Sequence, residues 1–288
     1  MGAAEHFVKA PEWTWLILAY FFFAGLSAGC YTLGAMFRLF GGAGDERVAR
    51  IAFLTAFPLI ILCPIFLTVD LGQPLRFWHM LINSASGGLN FNYWSPMSLG
   101  VWGLGVYSIF AFISFIESLL APVRALLNGM PGKLVALVGA VLALFVGAYT
   151  GVLLSVSNQP VWSDGWPLGG LFLASALSGA AALLILLGAR GRSEASGGVE
   201  VLSVVDRYFV VIESVLVVIF LVTVAVAGSA GRLFGGVGIV LWVIVLAGLV
   251  SPFLAGSRAR GFSPGLASAL VLAGALCLRA VIVFGAQS

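Results

Sequence analysis

The chain has 288 residues, of which 61% are hydrophobic and 9% are charged, with a formal net charge of +3. A soluble domain carries about 25% charged residues, so this composition excludes a fully solvated globular surface. The small positive balance does not point to nucleic acid, because the basic residues fall between long apolar runs.

Eight such runs follow one another. Each reaches the roughly 20 residues that a helix needs to cross a hydrocarbon core. They are continuously apolar rather than alternating, which predicts helices and excludes barrel strands. The predicted spans are 13–40, 50–71, 95–120, 133–156, 166–188, 204–227, 236–255 and 263–286. Gly41-Gly42, Pro131-Gly132, Gly197-Gly198 and Ser263-Pro264 punctuate the connections. Residues 1–12 carry Glu5, His6, Lys9 and Glu12 in place of a basic leader, so the first run is expected to stay as the first helix. Cys30, Cys63 and Cys277 all lie inside apolar runs and form no close-spaced ligand motif, which is the pattern of buried free thiols.

An even number of spans places both termini on one side. Near the opposite side lie Arg38, Arg47, Arg50, Arg124, Lys133, Arg190, Arg192, Arg207, Arg258 and Arg260; near the termini lie only Lys9, Arg76, Arg232 and Arg279. The positive-inside rule makes the basic side cytoplasmic and the side of the termini periplasmic or extracellular. On the terminal side the longest loop, 72–94, mixes Arg76, His79, Asn83, Asn90 and Asn92 with Phe77, Trp78, Phe91, Tyr93 and Trp94, and a second loop, 158–164, holds Trp162. Aromatic and polar residues together suit either the membrane interface or a docking surface. Arg76, Trp78, His79 and Trp162 are the candidates for partner contact.

Ionisable groups inside spans are costly in lipid and are functional candidates by default. Asp70 ends the second predicted helix, Glu117 closes the third, Asp206, Arg207 and Glu213 lie on the sixth, and Arg279 on the eighth. Asp206 and Glu213 are seven residues apart, so they share a helix face. They form a candidate proton path, or else a structural pair with an arginine. Tyr20, Asp70, Tyr149 and Arg279 fall at similar depths near the terminal side. Tyr20 precedes Gly25-Leu-Ser-Ala-Gly29, and Tyr149 is enclosed by Gly147-Ala-Tyr-Thr-Gly151; both are small-x3-small patterns that allow close helix approach. A cavity between the first and fourth helices, with a phenol on each wall, is expected there. Phenolic hydroxyls can hydrogen-bond a quinone carbonyl.

His6 and His79 are the two histidines, and neither falls in a predicted span. A haem held between helices usually takes histidine ligands, so no haem is expected. No metal-ligand spacing or phosphate loop is present in the sequence. Redox work by this chain would need electrons from a partner.

The chain resembles the NrfD/PsrC family, the membrane subunits of polysulfide reductase and its relatives. The resemblance spans nearly the whole chain. It rests on Gly25-Leu-Ser-Ala-Gly29, Asp70-Leu-Gly-Gln-Pro-Leu-Arg-Phe77, Ser95-Pro-Met-Ser-Leu-Gly-Val-Trp-Gly103, Ala148-Tyr-Thr-Gly151, Asn158-Gln-Pro-Val-Trp162 and Leu278-Arg-Ala-Val-Ile-Val-Phe-Gly-Ala-Gln287. It implies an all-α membrane protein of two four-helix bundles, here 1–156 and 157–288, in a prokaryotic cytoplasmic membrane. It further implies a menaquinone or ubiquinone site in the first bundle. The implied partners are an iron–sulfur subunit of ferredoxin type and, behind it, a molybdopterin catalytic subunit. By similarity, Tyr149 matches a quinone-contacting tyrosine, Asp70 an acidic residue on a proposed proton path, and Arg279 an arginine of the last helix. Where the polysulfide enzyme has a quinone-contacting histidine and a nearby asparagine, this chain has Tyr20 and Ile17. The competing readings are a secondary transporter using Asp206, Glu213 and Arg279, and a simple membrane anchor for a periplasmic enzyme.

Overall fold

The computed structural model describes residues 12–42, 45–82, 87–188, 196–256 and 263–287, with 196–199 and 256 as backbone. His6, Lys9, Asn83, Arg190, Arg192, Arg258 and Arg260, named above from sequence, lie outside the described residues.

The chain is all-α. Its helices are α1 Trp15–Phe40, α2 Glu46–Asp70, α3 Pro96–Leu119, the short α4 Ala121–Leu126, α5 Met130–Ser155, α6 Leu168–Gly188, α7 Ser196–Val226, α8 Gly238–Gly256 and α9 Pro264–Gly285. Among the described residues, every one of these except α4 is long and apolar enough to cross a membrane, which makes eight spans. The cores of all eight predicted segments are helical. The largest difference is at α7, which begins at Ser196 rather than at 204. Hydropathy marks where a helix meets lipid, whereas backbone hydrogen bonds carry it on into water. Two 3₁₀ helices, Pro74–Met80 and Ala230–Phe234, interrupt loops that the sequence had left without structure.

Local chemistry sets several of the boundaries. Thr14, Ser95 and Ser263 each cap a helix N-terminus through the side-chain oxygen, and Pro96 and Pro264 follow in the first turn, where no backbone donor is needed. Leu120 turns extended and ends α3, after which Pro122 starts α4.

Two helices form the centre. The helix α1 packs against α2, α5, α6 and α9, while α6 packs against α1, α5, α7 and α9. Their buried faces are built from Gly, Ala and Ser, because in lipid close van der Waals contact drives association where hydrophobic exclusion cannot. Between α1 and α6 the approach is close at Gly29: a Cβ there would overlap the Ala176 carbonyl of α6 and the Ala180 side chain. The outer faces carry exposed apolar residues, among them Val211, Val215, Val218 and Val222 on α7, as a lipid-facing surface requires.

Both ends of the described chain meet at the same end of the bundle. The Trp13 backbone N–H donates to Gln287 Oε1 at 2.8 Å. The indole of Trp13 stacks on that of Trp162 at 4.7 Å between centroids. Trp162 is fully buried and donates through Nε1 to the Ile282 carbonyl at 2.8 Å. This corrects the expectation that Trp162 contacts a partner. Its ring is consumed inside, tying the 158–164 loop to α1 and α9.

Candidate functional site

A cavity of about 340 Å³ opens at the end where Trp13 and Gln287 meet. It is lined by side chains of α1, α2, α3, α5 and the 3₁₀ helix, among them Ile17, Tyr20, Phe21, Leu67, Asp70, Met80, Met97, Gly100, Leu104 and Tyr149. Three of the four residues expected at a quinone site, Tyr20, Asp70 and Tyr149, therefore share one wall system.

Each is held differently. The Tyr149 hydroxyl donates to the Pro96 carbonyl at 2.6 Å, which leaves its oxygen lone pairs free to accept. Gly100 makes that pose possible, since a Cβ there would overlap the Tyr149 hydroxyl and ring. Tyr20 is buried at 5% exposure, and among the described residues its hydroxyl has no hydrogen-bond partner. Asp70 accepts from Thr14 Oγ1 at 3.0 Å, and the same Thr14 oxygen caps α1. A carboxylate at a helix C-terminus opposes the helix dipole, so Asp70 is poorly placed to stabilise α2. The cavity thus offers one free donor, one free acceptor and one carboxylate in otherwise apolar surroundings.

Arg279 does not line this cavity. It is 1% exposed, and it donates to Ser175 Oγ at 3.0 Å, the Ala275 carbonyl at 2.9 Å and the Phe172 carbonyl at 3.1 Å, while its guanidinium carbon stands 5.1 Å from the centre of the Phe172 ring. Phe172 in turn meets Phe21, a cavity residue, edge to face at 6.2 Å. Two aromatic rings therefore stand between Arg279 and the cavity. The glycines of the two small-x3-small patterns also pack away from it: Gly25 and Gly29 face Arg279 and α6, and Gly151 abuts the Leu168 backbone.

Arg279 belongs instead to a second polar cluster. Glu213, 4% exposed, accepts from Ser178 Oγ at 2.8 Å, and Ser175 lies one turn away on α6, bonded to Arg279. Asp206 is 4% exposed, with its Oδ1 buried and unpartnered. Arg207 turns back to the Ser203 carbonyl of its own helix at 3.2 Å. Beside Glu213 is a space of about 10 Å³, room for about one water molecule. Ser175 and Ser178 did not stand out in the sequence. Their signal was two hydroxyls one turn apart in a helix that is otherwise apolar.

At the surface of the cavity end, Arg76 and Trp78 are exposed on the 3₁₀ helix and His79 is half-buried beneath them. Phe77, Phe91, Tyr93 and Trp94 are also exposed there, with Tyr93 and Trp94 about 70% accessible.

The fold and cavity define a multi-pass helical membrane protein with an apolar, tyrosine-walled pocket at one end of its bundle. The family model NrfD_2, described as polysulfide reductase, matches residues 5–288, and the chain belongs to that family. It is similar to a polysulfide reductase chain of Wolinella succinogenes, 31% identical over 326 residues that span 100% of this chain and 98% of the relative. It is also similar to protein NrfD of Escherichia coli, 31% identical over 211 residues, 66% of this chain and 64% of the relative. A shorter match, 33% identical over 106 residues, joins 37% of this chain to 22% of a selenate reductase subunit of Mesobacillus selenatarsenatis.

Proposed function

We propose that this chain is the quinone-binding membrane subunit of a respiratory oxidoreductase. In this reading it exchanges electrons between menaquinone or ubiquinone and an iron–sulfur subunit that serves a molybdopterin catalytic subunit. The observation that carries the reading is the unpartnered Tyr20 hydroxyl in an apolar cavity that also holds Tyr149. A quinone ring needs apolar walls and a hydrogen-bond donor for its carbonyl, and Tyr20 is such a donor. A quinol hydroxyl needs an acceptor, which the Tyr149 oxygen provides while its own O–H keeps donating to the Pro96 carbonyl. Asp70, at the mouth, is placed to exchange the two protons that accompany two-electron reduction. The electrons pass between the quinone and the partner.

The partner docks over the cavity end through Arg76, Trp78, His79 and the exposed aromatics around Tyr93 and Trp94. In this reading the quinone pocket lies in the segment 1–156, beneath the docked subunit. The orientation proposed is the one set by charge, with this end outward and the basic loops cytoplasmic.

Asp206 and Glu213 are proposed as a proton route from the cytoplasmic side, continued by Ser178, Ser175 and Arg279 as far as the Phe172–Phe21 pair. The space at Glu213 has room for a water and none for a transported solute, which favours a relay over a carrier.

Tyr149→Phe in the assembled complex is expected to cut quinol turnover while leaving assembly intact; unchanged quinol kinetics would remove the pocket assignment. For the route, Glu213→Gln in proteoliposomes is expected to retain turnover and lose any proton movement, and parental behaviour in both would make Glu213 structural.

A further inference from the structure

At the end of the bundle opposite the tyrosine cavity lies a second cavity, of about 390 Å³. That size falls in the range of about 300–1,000 Å³ typical of small-molecule sites. Its walls come from the end of α1, the start of α2, the α3–α4 junction and the start of α5. Nothing in the proposed electron transfer uses it.

Its chemistry is cationic. Arg38, Arg50, Arg124 and Lys133 line it against two carboxylates, Glu46 and Glu117, a surplus of two positive charges. Arg38 is paired with the buried Glu117. Arg50 Nε and an Arg124 terminal nitrogen both donate to a single carbonyl, that of Ser118, at 2.7 and 2.9 Å. That carbonyl lies in the last turn of α3, where helix ends leave acceptors without intrahelical donors. One neutral oxygen therefore holds two guanidinium groups together, with further N–H donors on each. The Lys133 side chain makes no hydrogen bond or ion pair among the described residues. Like charges gathered this way repel unless an anion shares them.

Leu126, two residues beyond Arg124, is 78% exposed, and Met130, three residues before Lys133, is 70% exposed. A cationic pocket at the ends of spanning helices, with exposed apolar side chains near its basic residues in the chain, sits where phospholipid phosphates meet acyl chains.

We propose that this cavity binds a phosphate group, supplied by the headgroup of an anionic phospholipid. Arginine forks match phosphate oxygens, and a headgroup bearing two phosphates would cancel the surplus of charge. The exposed Leu126 and Met130, close in sequence to Arg124 and Lys133, favour the lipid over free phosphate, because only the lipid brings chains to cover them. The site is independent of the quinone reading.

The test uses the full chain purified in detergent and stripped of lipid, titrated with diphosphatidylglycerol, phosphatidylglycerol and phosphatidylethanolamine under native mass spectrometry. Inorganic phosphate is run separately by thermal shift. Anionic lipid is expected to bind in preference to phosphatidylethanolamine. Lys133→Gln has no protein partner to lose, so folding is unaffected, and it should weaken anionic lipid about fivefold. Arg50→Gln should do at least as much, while Arg232→Gln at the other end should change nothing. Equal retention of phosphatidylethanolamine, or anionic binding unchanged in both Lys133→Gln and Arg50→Gln, overturns the site. Stabilisation by inorganic phosphate that Lys133→Gln abolishes, with no lipid bound, supports the phosphate group and overturns its lipid source.

Discussion

Arg279→Leu removes the cation from the cluster on α6, α7 and α9 and leaves Glu213 buried at 4% exposure, held by the hydroxyls of Ser178 and Ser175. Three hydrogen bonds and the contact over Phe172 go with it. The Ala275 and Phe172 carbonyls keep their intrahelical donors, so the main cost is the stranded carboxylate. Breaking a buried pair in this way costs about 3–5 kcal/mol. At about 2 °C or more per kcal/mol for a chain of this size, the melting temperature in detergent should fall by about 6–10 °C. The double variant Arg279→Leu/Glu213→Leu strands no charge, and contacting sites couple by about 0.5–3 kcal/mol, so it should be more stable than Arg279→Leu alone. The measurement is a double-mutant cycle by thermal unfolding of the purified protein. Additive losses, with the double variant the least stable, would refute the serine-bridged pair and leave Arg279 as a hydrogen-bonding post for α6 and α9.

Gly100→Ala should displace the Tyr149 phenol from Pro96 and lower quinol turnover as strongly as Tyr149→Phe, while the protein still assembles; activity assays on the complex would show it. Tyr20→Phe should weaken quinone binding and spare quinol, seen as a raised KM in the reducing direction alone. Gly29→Leu should prevent assembly of α1 against α6, since even a Cβ overlaps the Ala176 carbonyl, and the readout is loss of folded protein after extraction. Trp162→Phe keeps the stack on Trp13 and deletes the bond to Ile282, at a cost of about 1 kcal/mol in thermal unfolding.

The spans were legible because lipid imposes one rule along their whole length, and that rule shows as apolar runs. Tyr20, Asp70 and Tyr149 were legible for a related reason, since polar groups stand out in such runs and helical rise gives their depth. Depth is not azimuth, however. Arg279 shares that depth, yet it points towards α6, because helix rotation is set by packing that one sequence does not display. The glycine patterns announced close approach but not the helix approached, which proved to be α6 more than the tyrosine cavity. Trp162 looked like interface material in a polar loop. Its burial depends on the distant residues Trp13 and Ile282, a tertiary relation without local signature.

The central position of α1 has a consequence for biosynthesis. Most of its residues are buried, and its neighbours include α6 and α9. Roughly 220 residues separate the end of α1 from the start of α9. At about 5–20 residues per second, ribosomes take roughly 10–45 s to make that stretch. For that time the strip of α1 that meets α9 waits uncovered, even after α6 has covered its glycine face. The Trp13–Gln287 bonds then act as a completion seal, made only when the last helix arrives. A chain cut short before α9 would keep the packing of α1 on α2, α5 and α6 but lack this seal and the cover that Arg279 and α9 give α6, a natural mark for membrane proteases.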